Sequence, residues 1–280
     1  MHDETAIFVH IPKTGGTTLH RIIDRQYPPE TRYWIKQHDV GLEAFKGLPL
    51  SRRAVLRMVR GHISFGVHEY IPRPATYFTI LRQPIERLIS YYTFVQREPE
   101  HYLYDYANTP GMTIRRYLEE RVSLQTDNFQ TRLLSGVWTD VGYGECDEAT
   151  LALAKRNLAE RFAVVGLTKR FDETLLLLQE AFGWSDIHYR RQNVTLGRPR
   201  RKELPPETLD VISAHNQLDL ELYAFAEELF GKQVQDRGPF FAWAVKRLQF
   251  ANRRMWPLIR TYRTMRTFSV RTWLRNQVNR

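Results

Sequence analysis

Cysteine is almost missing from this chain, with Cys146 standing alone among 280 residues. An internal disulfide is therefore excluded, and no Cys/His spacing suits a structural zinc. A single thiol fits a reducing compartment. Also missing is any apolar run of about eighteen residues, so no helical membrane span is expected. No secretory leader precedes the first apolar run, and the expected location is the cytoplasm. No repeat or low-complexity tract is visible. Acidic residues are absent from one region, Gly238–Arg280, which holds ten Lys or Arg and no Asp or Glu. The formal net charge of +10 sits in that tail, and residues 1–237 are balanced.

What is present reads as a globular α/β protein. The 42% hydrophobic and 26% charged content are ordinary for one. The length suits one body domain, 1–237, followed by a basic extension, 238–280. Apolar runs at Ala6–Val9, Ala54–Val59, Thr76–Leu81 and Phe162–Leu167 predict strands. Helical patterns lie between them, which implies a mostly parallel sheet covered on both faces. Tyr27–Leu50 and Tyr102–Gly111 read as loops. One long helix is expected from about Glu207 to Phe230, with Gly231 as its C-cap.

The chain is organised around Ala6–Leu19, AIFVHIPKTGGTTL. A strand ends at Pro12, Gly15 and Gly16 permit a tight turn, and Thr17 and Thr18 offer N-cap hydroxyls to the next helix. Backbone amides and the helix dipole then favour an anion there, with Lys13 at its mouth. A nucleotide-triphosphatase loop would carry its lysine after the glycines. Here Lys13 precedes them.

Pro-Lys-Thr-Gly-Gly-Thr-Thr after a strand resembles the 5′-phosphosulfate loop of sulfotransferases, which use 3′-phosphoadenosine 5′-phosphosulfate (PAPS). A second stretch, Leu81-Arg82-Gln83-Pro84-Ile85-Glu86-Arg87-Leu88-Ile89-Ser90, follows the third predicted strand. It resembles that family's 3′-phosphate motif, in which Arg82 and Ser90 would hold the phosphate; Gln83 departs from the aspartate of many members. Arg60–Phe65 and Asn157–Thr168 are similar to the heparan sulfate 2-O-sulfotransferase group, and Gln130–Gly136 to the 6-O enzymes and their bacterial cousins. The resemblance covers roughly residues 6 to 231. It implies a P-loop-like sulfotransferase fold, PAPS as co-substrate with PAP as product, no metal, and a carbohydrate or other hydroxyl acceptor.

The same resemblance assigns roles. Lys13 would neutralise charge growing on the departing phosphate oxygen, and Thr14, Gly15, Gly16, Thr17 and Thr18 would hold the 5′-phosphate. Lys202, in the basic loop Arg198–Lys202, would complete the nucleotide site. A hydroxyl acceptor needs a base. His62 is the first candidate, at the end of a predicted strand and in a Gly-His matching the 2-O group. Arg60 stands where those enzymes have a second histidine. His10 ranks second; His38, His68 and Glu69 compete. Asn128 and Arg132 are weighed as lining for the acceptor cleft.

Two other readings remain open. A P-loop small-molecule kinase would need a lysine after the glycines and a magnesium-binding acid. A non-catalytic binder of anionic glycans would use the basic tail; no nucleic-acid motif is present. In the tail, Phe241, Val245, Leu248, Met255, Ile259 and Tyr262 recur at helical spacing among arginines, with Trp243, Trp256 and Trp273. Such a helix suits an anionic membrane surface, packs on the body or a second subunit, or draws in an anionic acceptor.

Overall fold

The computed structural model describes residues 4–36, 38–138, 140–190 and 199–254. Its centre is a five-stranded, fully parallel sheet in the order β2-β3-β1-β4-β5. Strand β1 (Thr5–Val9) is buried along its whole length, as a strand with neighbours on both edges and helices on both faces must be. It pairs with β3 (Met58–Gly61) through Ala6↔Met58 and Val9↔Gly61. On its other edge it pairs with β4 (Ala75–Leu81) through Thr5↔Ala75 and Val9↔Thr79. Strand β2 (Arg32–Ile35), half exposed, forms one edge, and β5 (Phe162–Leu167) forms the other.

The helices follow the chain. Helix α1 (Gly16–Gln26) connects β1 to β2; α2 (His38–Lys46) and α3 (Leu50–Ala54) lead to β3. Between β4 and β5 lie α4 (Pro84–Val95), α5 (Tyr104–Ala107), α6 (Ile114–Glu119), α7 (Phe129–Ser135) and α8 (Glu148–Arg161). After β5 come α9 (Phe171–Phe182), α10 (Pro206–Ala214), α11 (Gln217–Gln235) and α12 (Pro239–Arg254). The main core joins the sheet to α1, α7, α8, α9, α11 and α12. A satellite core, with Leu88, Tyr92, Tyr117 and Ile212, holds α4, α5, α6 and α10 together.

Several expected boundaries are corrected. Tyr27–Leu50 is no loop: it holds β2, which pairs with β3, and α2, which packs on β2. The second strand starts at Met58, because Leu50–Ala54 forms α3 behind Pro49. Tyr102–Gly111 contains the single-turn α5. The long helix expected from Glu207 is two, parted at His215 and Asn216, and Gly231 lies inside α11. There the buried Asn216 amide donates to Thr126 O (3.1 Å) and Ile212 O (3.0 Å), which fixes the break.

Within the body, Asp219 of α11 accepts bonds from the Gln130 N–H (3.1 Å) and the Thr131 N–H (2.7 Å). A carboxylate from one helix thus caps the N-terminus of α7. Arg132 is fully buried, paired with Asp127 and donating to Val141 O and Gly142 O at 2.6 Å each. Asn128 is buried too and accepts from the Asp219 N–H at 3.1 Å. Both residues therefore brace α7 rather than line a cleft. Among the described residues no helix is long and apolar enough to cross a membrane.

Candidate active site

Parallel strands deliver their C-terminal ends to one side of the sheet, where α/β proteins bind ligands. The order β3-β1-β4-β5 therefore brings four segments together: His62 after β3, His10–Gly16 after β1, Arg82–Gln83 after β4 and Thr168 after β5. Both phosphate-type motifs and the first-choice histidine meet there.

The turn after β1 departs from ordinary backbone at two positions, Lys13 (φ 72) and Gly15 (φ 94). Successive residues of opposite hand make a concavity of N–H groups. Gly15 is the N-cap of α1, no side chain caps that helix, and no acidic residue occupies its first turn. That end of α1 therefore turns its positive dipole toward a ligand anion, although the Thr18 N–H already donates to Gly15 O at 3.2 Å. Thr17 and Thr18 lie inside the first turn, so their expected N-cap role is corrected. Thr14 is buried, and its hydroxyl donates to Ile11 O at 2.8 Å.

Two hydrogen bonds reach this turn from the neighbouring strand ends, and three more brace the residues that make them. Arg82 donates from Nη1 to Lys13 O at 2.9 Å. The Thr168 hydroxyl lies 3.1 Å from Thr14 O and 3.0 Å from Leu81 O. Gln130 grips Arg82 at both backbone groups, accepting from its N–H (3.0 Å) and donating to its carbonyl (2.9 Å). Gln83, the departure from the family pattern, is the N-cap of α4 and accepts from the Glu86 N–H at 2.9 Å. Ser90 lies two turns into α4 and is 8% exposed. One turn further on, the Phe94 ring receives the Lys13 ammonium 4.0 Å from its centroid. Lys13, Arg82 and the Ser90 helix thus share one flank. Lys202 is exposed on a short turn (Arg201–Glu203) packed against α4. Arg198 lies outside the described residues.

The other flank is a stack of rings. His62 lies 4.5 Å from His10 between centroids, nearly parallel to it. Its Nδ1 is 3.2 Å from the His10 carbonyl oxygen, which can only accept. Nδ1 therefore carries the proton, and Nε2 keeps its lone pair. Burial lowers the His62 pKa, and the carbonyl bond partly opposes that shift. His10 is held well below the usual histidine range, by burial first and then by its cationic and histidine neighbours. Its Nδ1 lies 3.1 Å from His20 Nε2, and His20 is pushed down to about 3 by burial and Arg60. His10 is 8% exposed and its ring is enclosed by Phe8, His20 and His62, so it acts as packing rather than as an exposed base.

Of the other candidate bases, His68 is bound to the Tyr77 hydroxyl at 2.7 Å, Glu69 is exposed, and the side chain of His38 lies outside the described residues. Arg60 is 4% exposed, paired with Asp24 (2.6 Å) and bonded to His20 O (2.9 Å). It supports α1 from beneath. Beside the end of β3 opens a cavity of about 490 Å³, walled in part by Ser64, Phe65, Tyr70 and Trp138.

Sequence reasoning missed the clamping roles of Thr168 and Gln130 and the seat that Phe94 provides for Lys13. Thr168 and Gln130 fall inside stretches that resemble known enzymes, which was the available signal. Phe94 carried none.

The chain matches the family model described as galactose-3-O-sulfotransferase over residues 46–264, a span that begins after the β1 turn. It is 25% identical over 281 residues to heparan-sulfate 6-O-sulfotransferase 1 of Homo sapiens, covering 83% of this chain and 67% of the relative. Heparan-sulfate 6-O-sulfotransferase 2 of Gallus gallus is 28% identical, at 83% and 68% coverage. Galactose-3-O-sulfotransferase 3 of Bos taurus is 26% identical, at 65% and 44%. A mouse sulfotransferase solved in complex with PAP aligns at TM-score 0.38 and 14% identity, over 79% of this chain and 66% of its own.

Proposed function

The chain belongs to the galactose-3-O-sulfotransferase family, and from that membership we propose how its residues divide the work of moving a sulfuryl group from PAPS to a carbohydrate hydroxyl. The observation that carries this reading is the convergence of the β1 turn, the Arg82 segment and a partly exposed histidine bonded through Nδ1 at adjacent strand ends. The amides from Thr14 to Thr18 hold the 5′-phosphate. Arg82 and Ser90, with Lys202 nearby, hold the 3′-phosphate.

Transfer is an in-line displacement at sulfur: the bond from sulfur to the phosphate oxygen breaks as the acceptor oxygen bonds to sulfur. Lys13 leaves its seat on Phe94 and neutralises the charge on the departing oxygen. Nε2 of His62 accepts the hydroxyl proton. Magnesium has no part in this reading, which separates it from a kinase. Lys13→Ala and His62→Ala are each expected to lower turnover at least about a hundredfold, measured with labelled PAPS, and His62→Ala leaves PAP affinity unchanged. Full turnover in His62→Ala removes that histidine from the reaction.

We further propose that the chain meets anionic membrane at the inner face through α12. Phe241 and Leu248 of that helix pack into the main core, while Phe240, Trp243 and Phe250 are 83%, 60% and 59% exposed. Arg247 lies over the Trp243 ring at 5.2 Å, and Lys246, Arg253 and Arg254 line a groove with Phe250. Exposed aromatics set among cations favour a lipid interface. The rest of the extension, from Met255 on and including Trp256, Pro257 and Trp273, lies outside the described residues. Replacing Phe240, Trp243 and Phe250 with Ala is expected to abolish cosedimentation with anionic vesicles at low salt without unfolding the protein. Equal sedimentation of the triple variant, or binding to neutral vesicles alone, refutes the proposal.

A further inference from the structure

We infer that Asp219 of α11 is a positioning residue for the donor: through the start of α7 and the Gln130 side chain it sets the direction of Arg82, and with it the recognition of the 3′-phosphate. The inference rests on the reading of the site above, in which Arg82 holds that phosphate. Arg82 is the first residue beyond β4, where the pairing with β5 ends at Leu81↔Leu167. One side chain takes over from the strand there. The Gln130 amide accepts from the Arg82 N–H at 3.0 Å and donates to the Arg82 carbonyl at 2.9 Å. A carboxamide supplies acceptor and donor side by side, whereas a carboxylate lacks the donor and leucine lacks both.

Gln130 is itself fixed from a distant helix. It is fully buried, as are Thr131 and Asp219. Helix α7 starts behind Asn128, a left-handed residue (φ 43) whose side chain does not cap it. The cap comes from Asp219, whose carboxylate accepts from the Gln130 N–H (3.1 Å), the Thr131 N–H (2.7 Å) and the Thr131 hydroxyl (2.8 Å). In return, Asn128 Oδ1 accepts from the Asp219 N–H at 3.1 Å. Burial raises the Asp219 pKa, and the Arg87 charge and these donors pull against it. Arg87 is fully buried one turn before Ser90, lies 5.1 Å over the Phe129 ring and donates from Nη2 to Gln125 O at 2.5 Å. The 3′-phosphate stretch is therefore held twice, at Arg82 by Gln130 and along α4 by Arg87.

The direction of Arg82 matters because its guanidinium serves both ends of the donor site. Nη1 donates to Lys13 O in the anion turn at 2.9 Å, and Nη2 lies 3.5 Å from Glu86 Oε2. The second contact is longer than an ordinary hydrogen bond, so Glu86 does not fix the fork. The backbone from which the side chain grows sets its aim, and Gln130 holds that backbone. Where geometry is exacting, a misplacement of about 1 Å costs about a hundredfold. A purely structural cap would stabilise α7 and leave the relative affinity for two nucleotides unchanged. A cap that aims Arg82 changes it.

The test measures, by calorimetry on the full chain, the affinity for PAP relative to adenosine 5′-phosphate, which lacks only the 3′-phosphate. Gln130→Leu and Asp219→Asn are each expected to shrink the PAP advantage about tenfold, as losing a charge-assisted contact does. Asp219→Glu serves where Asp219→Asn fails to fold, since it keeps the buried charge and moves its oxygens by one methylene. Thr131→Val removes a bond to the same carboxylate without touching Gln130; it is expected to lower stability in denaturation and to leave the affinity ratio as in the unaltered chain. In an Arg82→Ala background, Gln130→Leu is expected to change the ratio no further. An unchanged ratio in folded Gln130→Leu or in the folded Asp219 variant, or an equal loss in Thr131→Val, overturns the inference. When Arg82→Ala collapses the ratio and Gln130→Leu does not, the functional reading stands and only this inference falls. A ratio untouched by Arg82→Ala removes the assignment of Arg82 and this inference with it.

Discussion

Gly16→Ala is the sharpest probe of the anion turn. A Cβ at Gly16 would lie 1.8 Å from His10 Nε2 and 2.4 and 2.5 Å from the adjoining ring carbons. Ordinary carbon contacts begin near 3.5 Å, so ring and helix must part by about 1.7 Å. The ring has little room to yield: it is stacked on Phe8 and His62, at 5.4 and 4.5 Å between centroids, and bonded to His20. The first turn of α1 moves instead, and with it the amides that hold the anion. Overpacking of this kind costs about 1–3 kcal/mol. Alanine's helical advantage over glycine, at most about 1 kcal/mol, works the other way and is the smaller effect. In a His10→Ala background the clash is gone, and the same substitution is expected to be neutral or stabilising. Chemical denaturation of the four proteins in this cycle is expected to give a coupling of about 1–3 kcal/mol. PAP affinity falls about tenfold or more in Gly16→Ala and recovers in the double variant. Costs that add within about 0.5 kcal/mol would falsify the account of the turn.

Arg82→Ala removes a charge-assisted contact and also the bond to Lys13 O, so PAP affinity is expected to drop about tenfold or more. Ser90→Ala should weaken PAP but spare an analogue lacking the 3′-phosphate; equal losses for the two nucleotides sink the Ser90 assignment. The histidine stack also predicts two pH effects. His62 acts as a base only when neutral and its pKa is lowered, so kcat/KM is expected to hold through neutrality and to fall only below about pH 6.5; an acid limb above that value refutes it. All three rings bind protons more readily unfolded than folded. Stability from them is therefore present above about pH 6.5 and lost as pH falls, by up to about 1.4 kcal/mol per pH unit for each ring. Denaturation at pH 7, 6 and 5 measures this, and a flat profile contradicts the burial of the stack.

Much was legible in the chain alone because short-range chemistry decided it. The glycine turn before α1 is a local signal and appears within a residue of its expected place, and Pro84 opens α4 at the favoured first helical position. The order of the two phosphate-type motifs, each leaving a strand, was enough to point to the family and to the donor. Arg82, Ser90, Lys13 and His62 were all named from pattern.

Pairing and burial belong to the tertiary structure. Only the order β2-β3-β1-β4-β5 shows that His62 and the β1 turn stand on neighbouring strands, since fifty residues of chain separate them. His10 and His62 look alike in sequence. Packing separates them: His10 is enclosed against Gly16 and His20, while His62 is partly exposed and held through Nδ1 by a backbone carbonyl. Arg132 and Asn128 read as cleft residues because polar side chains usually face solvent. They are buried because α7 needs internal partners at both ends, and a burial of that kind depends on what the rest of the fold places opposite. The local signals are carried by neighbouring residues, and the partners by contacts that exist only after the chain has closed on itself.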